Sequence, residues 1–472
     1  MKNYIFIETY GCSANQNNSE IMKGILTQSG YNITNNQEIA EIIILNTCIV
    51  KQKTENKIKR RIQDMGREAY SDKMVIITGC MPETDLTAIK KLNPKALVLG
   101  THNIKSIIKL LNDYKNSNLK QEKEYLPKTN EEKILLPKIP NNKLISIIQI
   151  SEGCKGSCTY CKTKLAKGKL FSYNKEKIIK SIESDLQNKA KEVWITSQDN
   201  ASYGLDRIKN TILKKQQSKH QKINTIQQTS QHSKTITSQQ SQLPELLTEI
   251  LNLKHNFKLR LGMMNPNNLY PILDQMIEIY KHPKMYKFLH IPIQSASNNI
   301  LKNMKRHYKM EIAEKIIKKF KKEIPNITIA TDIIIGYPNE TPKDFQENIN
   351  FIKEFKPDVF NLSKFSLHKG TEIYNTIKQN KAKQVPIETI NKRTTKIMQL
   401  HRETALENKE KFINKNIKVF INKKLDGDLL EARDENYNII LIKGNKELLG
   451  KTIQVKIKSA GVHHMVGEVV EG

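Results

Sequence analysis

The sequence lacks several features that would place it in a membrane or outside the cell. No apolar run approaches the length of a membrane span, and the N-terminal residues lack the pattern of a cleavable signal. Cysteine is also scarce. Six cysteines among 472 residues are too few for a disulfide scaffold. We therefore expect a cytoplasmic protein of two or three domains, in which the cysteines bind metal or take part in chemistry.

Acidic residues are in deficit. Asp and Glu number 48 against 78 Lys and Arg, which leaves a formal net charge of +30. Such an excess suits a polyanionic partner such as nucleic acid. A coding bias towards AT-rich codons would produce much of the same excess, because Lys, Asn and Ile are abundant throughout the chain. The charge alone therefore gives only weak support for RNA binding.

Three of the cysteines follow one apolar run with the spacing C-x3-C-x2-C. These residues, Cys154, Cys158 and Cys161, are called the loop triad below. Three thiolates on one short loop can bind a [4Fe-4S] cluster and leave one iron open for an outside ligand. Gly153 and Gly156 suit a loop that wraps round a bulky group. The alternatives are unlinked buried cysteines or a zinc knuckle, but structural zinc has four ligands and the loop contains no histidine.

The other three cysteines each follow a short apolar segment. They are Cys12, Cys48 and Cys80, called the N-terminal triad below. The segments are predicted as strands and span residues 4–7, 41–45 and 74–77. A predicted helix follows each cysteine, so we expect a Rossmann-like parallel sheet whose loops meet at the C-terminal ends of its strands. One cysteine at a strand end is usually a small buried hydrophobe, but three in equivalent positions predict a second three-cysteine site.

The middle of the chain alternates apolar segments with helical stretches. Six predicted strands span residues 144–150, 192–196, 258–261, 288–293, 327–335 and 359–362. This alternation indicates an incomplete TIM-like (βα)6 barrel, whose site lies at the C-terminal ends of the strands. Polar residues follow these strands, and we predict that a cofactor binds to Gln198, Asp199, Gln294, Ser295, Arg306, Asp332 and Gly336. Arg306 suits a carboxylate partner, whereas ordinary turn and cap chemistry is the alternative for each residue taken singly.

The last sixty residues contain five short β-rich segments separated by turns. This pattern predicts a small closed barrel of the OB-like kind, which commonly binds RNA. Basic residues in this part, either RNA contacts or plain surface charge, include Lys423, Lys424 and Arg433. A predicted helix at residues 387–412 connects this barrel to the middle of the chain.

Two stretches read as connections rather than as folded elements. Residues 113–142 are polar and contain three prolines, which predicts a linker. Residues 206–242 form a Gln/Ser/Thr/Lys tract with almost no apolar period, which predicts a disordered insertion. The predicted domains therefore span residues 1–112, 143–380 and 413–472, with the connecting helix assigned to residues 381–412.

The residue before the last cysteine of the loop triad is Tyr160, and the loop resembles the C-x3-C-x-aromatic-C signature of the radical S-adenosylmethionine (SAM) superfamily. With the N-terminal triad added, the chain resembles the methylthiotransferase family. That resemblance implies an N-terminal domain with an auxiliary cluster, a radical SAM core and a C-terminal TRAM domain that binds RNA. It implies two [4Fe-4S] clusters, held by the N-terminal triad and by the loop triad, and SAM bound near Tyr160. Gly336–Thr341 is similar to a turn of that family. In this chain Asn339 stands where the family's turn has a glycine.

The resemblance also implies a reaction. In that family, reduction cleaves SAM to a 5'-deoxyadenosyl radical that abstracts hydrogen, the auxiliary cluster presents sulfur, and a second SAM supplies methyl. Members act on isopentenyladenosine in tRNA, on threonylcarbamoyladenosine in tRNA, or on an aspartate of a ribosomal protein. The segment Cys161–Gly168 resembles the archaeal and eukaryotic branch that acts on threonylcarbamoyladenosine, although Lys167 replaces its usual arginine.

Lys162 and Lys164 would place positive charge near the carboxylate of that substrate, or they are ordinary loop lysines. The resemblance implies methylthio addition at C2 of N6-threonylcarbamoyladenosine at position 37 of tRNA. It also implies an electron donor such as ferredoxin or flavodoxin. The chain ends just past the predicted barrel, so we expect an archaeal-type, monomeric, cytoplasmic enzyme without a membrane anchor. The alternatives are a methylthiotransferase for another of these substrates and a non-catalytic RNA-binding protein with two zinc sites.

Overall fold

The computed structural model describes residues 4–116, 124–126, 131–207 and 240–470. Nearly all of the predicted insertion, residues 206–242, lies outside this described part of the chain. The strands, numbered in chain order, are β1 Tyr4–Thr9, β2 Asn32–Thr34, β3 Ile42–Thr47, β4 Met74–Gly79, β5 Leu97–Leu99, β6 Glu124–Tyr125, β7 Ile145–Gln149, β8 Ser151–Glu152, β9 Phe171–Ser172, β10 Glu192–Thr196, β11 Lys258–Leu261, β12 Phe288–His290, β13 Thr328–Ile335, β14 Val359–Lys364, β15 Asn416–Lys424, β16 Leu429–Arg433, β17 Ile439–Lys443, β18 Thr452–Ala460 and β19 Met465–Val469.

The helices of the described residues are numbered in the same way. They are α1 Ser13–Gln28, α2 Gln52–Asp64, α3 Leu86–Leu92, α4 Ile107–Asn116, α5 Lys162–Lys167, α6 Lys175–Gln187, α7 Leu243–Leu251, α8 Pro266–Leu269, α9 Leu273–Lys281, α10 Asn298–Asn303, α11 Met310–Glu323, α12 Pro342–Phe355, α13 Glu372–Lys378 and α14 Ile387–Glu410. None of these helices is long and apolar enough to cross a membrane.

The N-terminal part is a six-stranded parallel sheet with the order β2-β1-β3-β4-β5-β6. Its central strand β3 is buried along its whole length, as expected for a parallel sheet covered on both faces. Apolar residues of α1 and α4 pack on one face, and those of α2 and α3 pack on the other. The predicted Rossmann-like sheet is confirmed, and β1, β3 and β4 lie side by side within it.

Part of the predicted linker belongs to this sheet. Strand β6 pairs in parallel with β5 and forms the last strand of the sheet. The Lys133 side chain is only 2% exposed, and the backbone N–H of Ile139 donates to the carbonyl of Glu20 at 2.9 Å. Leu136 packs against the apolar cluster of the sheet. The described residues between 124 and 142 are therefore packed against the first two parts of the molecule.

The middle of the chain forms an incomplete barrel of six parallel strands, as predicted. Strands β7, β10 and β11 form one sheet in the order β11-β10-β7, and β12, β13 and β14 form another. A parallel bridge between Leu259 and Met285 joins the two sheets. Alternate residues such as Val193 and Ile195 pack outwards against the surrounding helices in one large apolar cluster. The C-terminal ends of all six strands therefore open on one side.

The C-terminal part is a closed five-stranded barrel with the order β15-β16-β17-β19-β18. The turn that follows β16 carries Tyr437, whose φ is +64°. Its ring lies 4.9 Å from that of Tyr286 and 5.1 Å from that of Phe288, measured between centroids. Asn422 Nδ2 also donates to Glu192 Oε1 at 3.0 Å. The small barrel is thus docked at the N-terminal ends of β10 and β12, opposite the open end of the strands.

Candidate active site

The loop triad is held by a tightly closed loop between β8 and α5. Gly153 has a φ of +71°, and a Cβ atom there would come within 1.9 Å of the carbonyl oxygen of Lys169. Only glycine fits such a close backbone approach. The N–H of Cys154 donates to the carbonyl of Gly168 at 3.3 Å, and α5 begins directly after Cys161. The backbone segments at the two ends of the loop are therefore in contact with each other.

The three thiols of the loop are close enough to influence one another. Burial raises the pKa of Cys154 to about 12, and the neighbouring Asp199 and the other two thiols raise it further. The backbone N–H of Gly156 donates to Cys154 Sγ at 3.2 Å. Arg306 Nη1 donates to Cys158 Sγ at 3.5 Å. The Gly156 N–H opposes the effect of burial on the pKa of Cys154, because it stabilises the thiolate form.

The loop triad opens onto a cavity of about 770 Å³ at the C-terminal ends of the barrel strands. The predicted site residues that line this cavity, besides the loop triad, are Tyr160, Lys162, Lys164, Gln198, Asp199, Gln294, Arg306 and Asp332. The walls also include Ile49 and Val50, which directly follow Cys48 of the N-terminal triad. The loop triad therefore lies at this cavity, and the segment that follows Cys48 forms part of its wall, whereas Cys12, Cys48 and Cys80 are not among the lining residues.

Arg306 is the most heavily bonded side chain of the cavity. Its Nη2 atom donates to the carbonyl of Pro292 at 2.9 Å and to Asn265 Oδ1 at 3.2 Å. Its Nε atom is buried without a hydrogen-bond partner among the described residues, and the same is true of Gln198 Oε1. Because buried polar groups are normally paired, these two atoms mark positions where a bound ligand would complete the hydrogen bonding.

The two carboxylates of the cavity are already engaged. Asp199 accepts from the N–H of Asn265 at 2.9 Å and from Asn268 Nδ2 at 2.7 Å, and burial raises its pKa to about 6. Asp332 Oδ2 lies 2.6 Å from His290 Nε2. Gln294 has a φ of +72°. These contacts fix the loops after β10, β11 and β12 around the cavity.

Two predicted cofactor residues lie outside the cavity lining. Gly336 has a φ of +79°, and a Cβ atom there would lie 2.4 Å from Cδ1 of Ile390 in α14. Ser295 is 1% exposed, and its Oγ accepts from the N–H of Ser297. Both residues shape turns, which agrees with the turn chemistry considered as the alternative. Asn339 adopts the left-handed conformation with a φ of +64°, as asparagine tolerates.

The N-terminal triad is assembled from three adjacent strand ends. Gly11 has a φ of +108°, and a Cβ atom there would lie 2.8 Å from Cβ of Cys48. Asn15 Nδ2 donates to the carbonyls of Tyr10 and Thr47, and the Cys80 thiol donates to Asn15 Oδ1 at 3.9 Å. Burial raises the pKa of Cys80 to about 12, and the two other thiols of the triad add to the shift. The triad is thus tied together through Asn15, which the sequence did not indicate.

A buried ionic network that the sequence did not indicate lies beside this triad. Glu152 accepts a hydrogen bond from Lys133 and lies 3.4 Å from the ammonium group of Lys167. Burial opposes ionisation of Glu152, but these two cations hold its pKa well below the usual range. His102 Nδ1 lies 3.7 Å from the same carboxylate. The residues come from separate parts of the chain, so no local pattern signals the network.

The predicted substrate lysines have partners inside the protein. Lys162 is 7% exposed and donates to both carboxylate oxygens of Glu55, at 3.0 Å each. Lys164 donates to the carbonyl of Cys154. The ammonium group of Lys162 is therefore neutralised by α2 of the N-terminal part, which the sequence could not show.

The basic residues of the C-terminal barrel fall into two groups. Lys423 and Lys424 are exposed at the end of β15. The Arg433 guanidinium lies 4.4 Å from the ring centroid of Tyr437 and donates to Glu431 at 2.6 Å. Arg433 therefore faces the docked turn and not the solvent, because it packs on the ring of Tyr437, which contacts the central barrel.

The described residues do not contain a group of three or more His, Cys, Asp or Glu side chains that could hold a single metal ion. A [4Fe-4S] cluster places each thiolate on a different iron, so it does not need three ligands around one metal ion. All six cysteines are free thiols.

Two protein-family models match the chain. Residues 4–100 match the uncharacterized protein family UPF0004, and residues 148–352 match the radical SAM superfamily. A solved structure of the radical SAM methyltransferase TsrM from Kitasatospora setae, with cobalamin and a [4Fe-4S] cluster bound, has a TM-score of 0.54 and 12% identity. The match covers 79% of this chain and 77% of that one. This likeness shows that the two chains share a fold over most of their length.

Relatives in sequence cover the chain more completely. A probable threonylcarbamoyladenosine tRNA methylthiotransferase of Pyrococcus horikoshii is 33% identical over 99% of both chains. The human threonylcarbamoyladenosine tRNA methylthiotransferase is 32% identical over 99% of this chain and 74% of its own length. These matches confirm the predicted family and branch. The chain therefore belongs to the threonylcarbamoyladenosine tRNA methylthiotransferases, a family of radical SAM enzymes.

Proposed function

We propose that the protein adds a methylthio group to C2 of N6-threonylcarbamoyladenosine at position 37 of tRNA, next to the anticodon. The observation that supports this proposal is the pair of cysteine triads: the loop triad lines the cavity, and the residues after Cys48 of the other triad form part of its wall. A single radical SAM site would need only the loop triad. In this proposal the cluster held by the N-terminal triad is a separate source of sulfur.

The loop triad fits a [4Fe-4S] cluster. A Cβ atom on Gly156 would lie 3.4 Å from Cys154 Sγ and 3.8 Å from Cys158 Sγ, so the glycine leaves space among the thiols. The partnerless atoms of Gln198 and Arg306 face the same cavity. We assign the SAM site to the predicted residues that line it: Tyr160, Gln198, Asp199, Gln294, Arg306 and Asp332.

The N-terminal triad fits a second cluster. Gly11 again removes the side chain that would press on Cys48, and Cys12 is exposed, so the site has an open side. We assign the auxiliary [4Fe-4S] cluster to this triad. When bound, the two clusters and SAM supply the radical, the sulfur and the methyl group, with electrons from a donor such as ferredoxin or flavodoxin.

The chain's own residues hold the substrate and keep water out. Apolar side chains line the cavity beside the loop triad, which limits the access of water to a reactive intermediate. They include Ile49, Val50, Ile333, Ile334, Leu362 and Phe365. The adenine base would lie in this apolar part, between the loop triad and the residues that follow Cys48.

The carboxylate of the threonylcarbamoyl group needs a cation. Lys162 is already paired with Glu55, so it is a poor candidate unless that pair opens. Lys51 and Lys53 line the same cavity, are exposed, and form no ion pair among the described residues. In this proposal Lys51 and Lys53 bind the carboxylate of the threonylcarbamoyl group. Lys423 and Lys424 bind phosphates of the tRNA.

The test is reconstitution of the protein with iron, sulfide, SAM and a reductant, followed by mass spectrometry of nucleosides from added tRNA. We expect the methylthio derivative of threonylcarbamoyladenosine. A matched tRNA that lacks the threonylcarbamoyl group should stay unmodified. Modification of isopentenyladenosine, or of a ribosomal protein with no change in tRNA, would contradict the proposed substrate.

A further inference from the structure

A buried lysine on α5 lies between the two cysteine sites. Lys167 is 2% exposed, and its Nζ atom donates to Thr101 Oγ1 at 2.7 Å. The preceding residue, Ala166, packs in the same apolar cluster as Cys48 and Cys80, and its carbonyl lies 3.0 Å from His102 Nε2. The side chain of Lys167 also lines the cavity of the loop triad. Its charge is therefore buried, and Thr101, which accepts its hydrogen bond, follows β5, whose neighbouring strand β4 leads to Cys80.

The charges around Lys167 do not cancel. Two buried ammonium groups, those of Lys133 and Lys167, share the single carboxylate of Glu152. Lys133 makes the closer contact, whereas Lys167 lies 3.4 Å away. A buried charge without an opposite partner is destabilising. One positive charge is therefore in excess at this interface as long as the nearby thiols are protonated.

We infer that Lys167 is the counter-ion of the N-terminal triad, and that it sets the reduction potential of the cluster which that triad holds. This inference rests on the proposed auxiliary cluster. Metal binding removes the protons of ligand thiols, so the triad becomes anionic when the cluster binds. Burial lowers the pKa of Lys167, but Glu152 and, to a smaller extent, the charges of Cys80 and Cys12 raise it above its usual value, in keeping with this pairing. Lys167 is thus a positioning residue with an electrostatic role.

A fixed positive charge near an iron-sulfur cluster favours the reduced form, because reduction adds negative charge. The replacement Lys167→Met keeps the length of the side chain and removes the charge, whereas Lys167→Arg keeps the charge. Lys164→Met removes a charge from the same helix, but Lys164 is bonded to the carbonyl of Cys154 at the other site. It therefore serves as the matched control.

The experiment uses the full chain with Cys154, Cys158 and Cys161 replaced by Ala, so that only the N-terminal cluster forms. The midpoint potential of this cluster is measured by redox titration with electron paramagnetic resonance. We expect Lys167→Met to lower the ratio of reduced to oxidised cluster at least tenfold at a given ambient potential, about 59 mV for one electron. Lys167→Arg and Lys164→Met should leave the potential close to that of the parent.

Thermal unfolding of the cluster-free proteins shows whether each variant is folded. Because the folded protein favours the charged form of Lys167, Lys167→Met should unfold at or somewhat below the temperature of the parent. Loss of the cluster in a folded Lys167→Met protein would also support the counter-ion role. An unchanged potential in a folded Lys167→Met protein that holds the cluster would overturn it. Absence of iron from the parent would instead overturn the proposed auxiliary cluster.

Discussion

The two cysteine triads are assembled in different ways. The loop triad lies within eight residues of one loop, which Gly153 and Gly168 close by local backbone contacts. The N-terminal triad comes from three strand ends that are adjacent only because β1, β3 and β4 pair in the sheet. The first site therefore depends on one turn, whereas the second depends on the fold of a whole domain. Their chemistry should be separable by mutation.

The largest expected effect is the loss of different reaction steps from the two sites. Cys158→Ala removes a loop-triad thiol, so SAM cleavage should be abolished. Cys48→Ala should leave SAM cleavage intact and abolish sulfur insertion, because the loop triad is unchanged. Chromatography of 5'-deoxyadenosine and mass spectrometry of tRNA nucleosides measure the two steps. Equal loss of both activities in both folded variants would mean that the sites do not act separately.

The local nature of the loop triad can be tested through its two glycines. Gly153→Ala should lower the free energy of unfolding by about 3 kcal/mol, because the φ is positive and the new Cβ meets the Lys169 carbonyl. Gly168 has a φ of +72° and a ψ of −151°, a backbone region that essentially only glycine adopts, but no atom lies within 4 Å of a Cβ, so Gly168→Ala should cost about 2 kcal/mol from backbone strain alone. Denaturant unfolding measures both values, and equal losses would show that the clash is relieved.

The dependence of the N-terminal triad on the fold can be tested at Asn15. This fully buried amide bridges the loops before Cys12 and Cys48. Asn15→Ala leaves two buried carbonyls without that donor, so the free energy of unfolding should fall by about 2 kcal/mol. Iron bound at the N-terminal triad should fall as well. Gln16→Ala, at the next position on α1, is the control, and an equal effect there would argue against a specific role for Asn15.

The smallest expected effect concerns the pH dependence of the network beside the N-terminal triad. Burial lowers the pKa of Lys133 to about 8, below the value of about 10.4 for lysine in an unfolded chain. Above pH 8 the unfolded chain therefore binds more protons than the folded one, and stability rises with pH. The cluster-free protein should gain about 1 kcal/mol between pH 8 and 9 relative to Lys133→Met. If the free energies of unfolding of the two proteins changed by the same amount between pH 8 and 9, this predicted role of Lys133 would be contradicted.

The sequence predicted the features that depend on local spacing. These include the loop triad, the strand ends that carry the N-terminal triad, and the order of the three folded parts. It did not predict contacts between distant residues, such as the pairing of Lys162 with Glu55 across 107 positions. Burial of Lys167 and the inward position of Arg433 were missed for the same reason, because a lysine-rich chain carries no local signal for which cations are buried.

The prediction of residues 113–142 as a linker missed the strand β6 and the burial of Lys133. The strand has two residues and no apolar period, and it is specified by its partner β5. Gly336 and Ser295 were assigned to a cofactor because they follow barrel strands. The structure uses them for turns that position the cavity, which spacing alone could not distinguish from ligand binding.

The most direct test of the account is the iron content of the reconstituted protein. Two separate [4Fe-4S] clusters predict about eight iron atoms per chain. Replacement of either triad by alanine should leave about four, with the Mössbauer spectrum of one [4Fe-4S] cluster in each case. Loss of all iron on replacement of one triad, or a full iron content without the N-terminal triad, would contradict two independent three-cysteine sites.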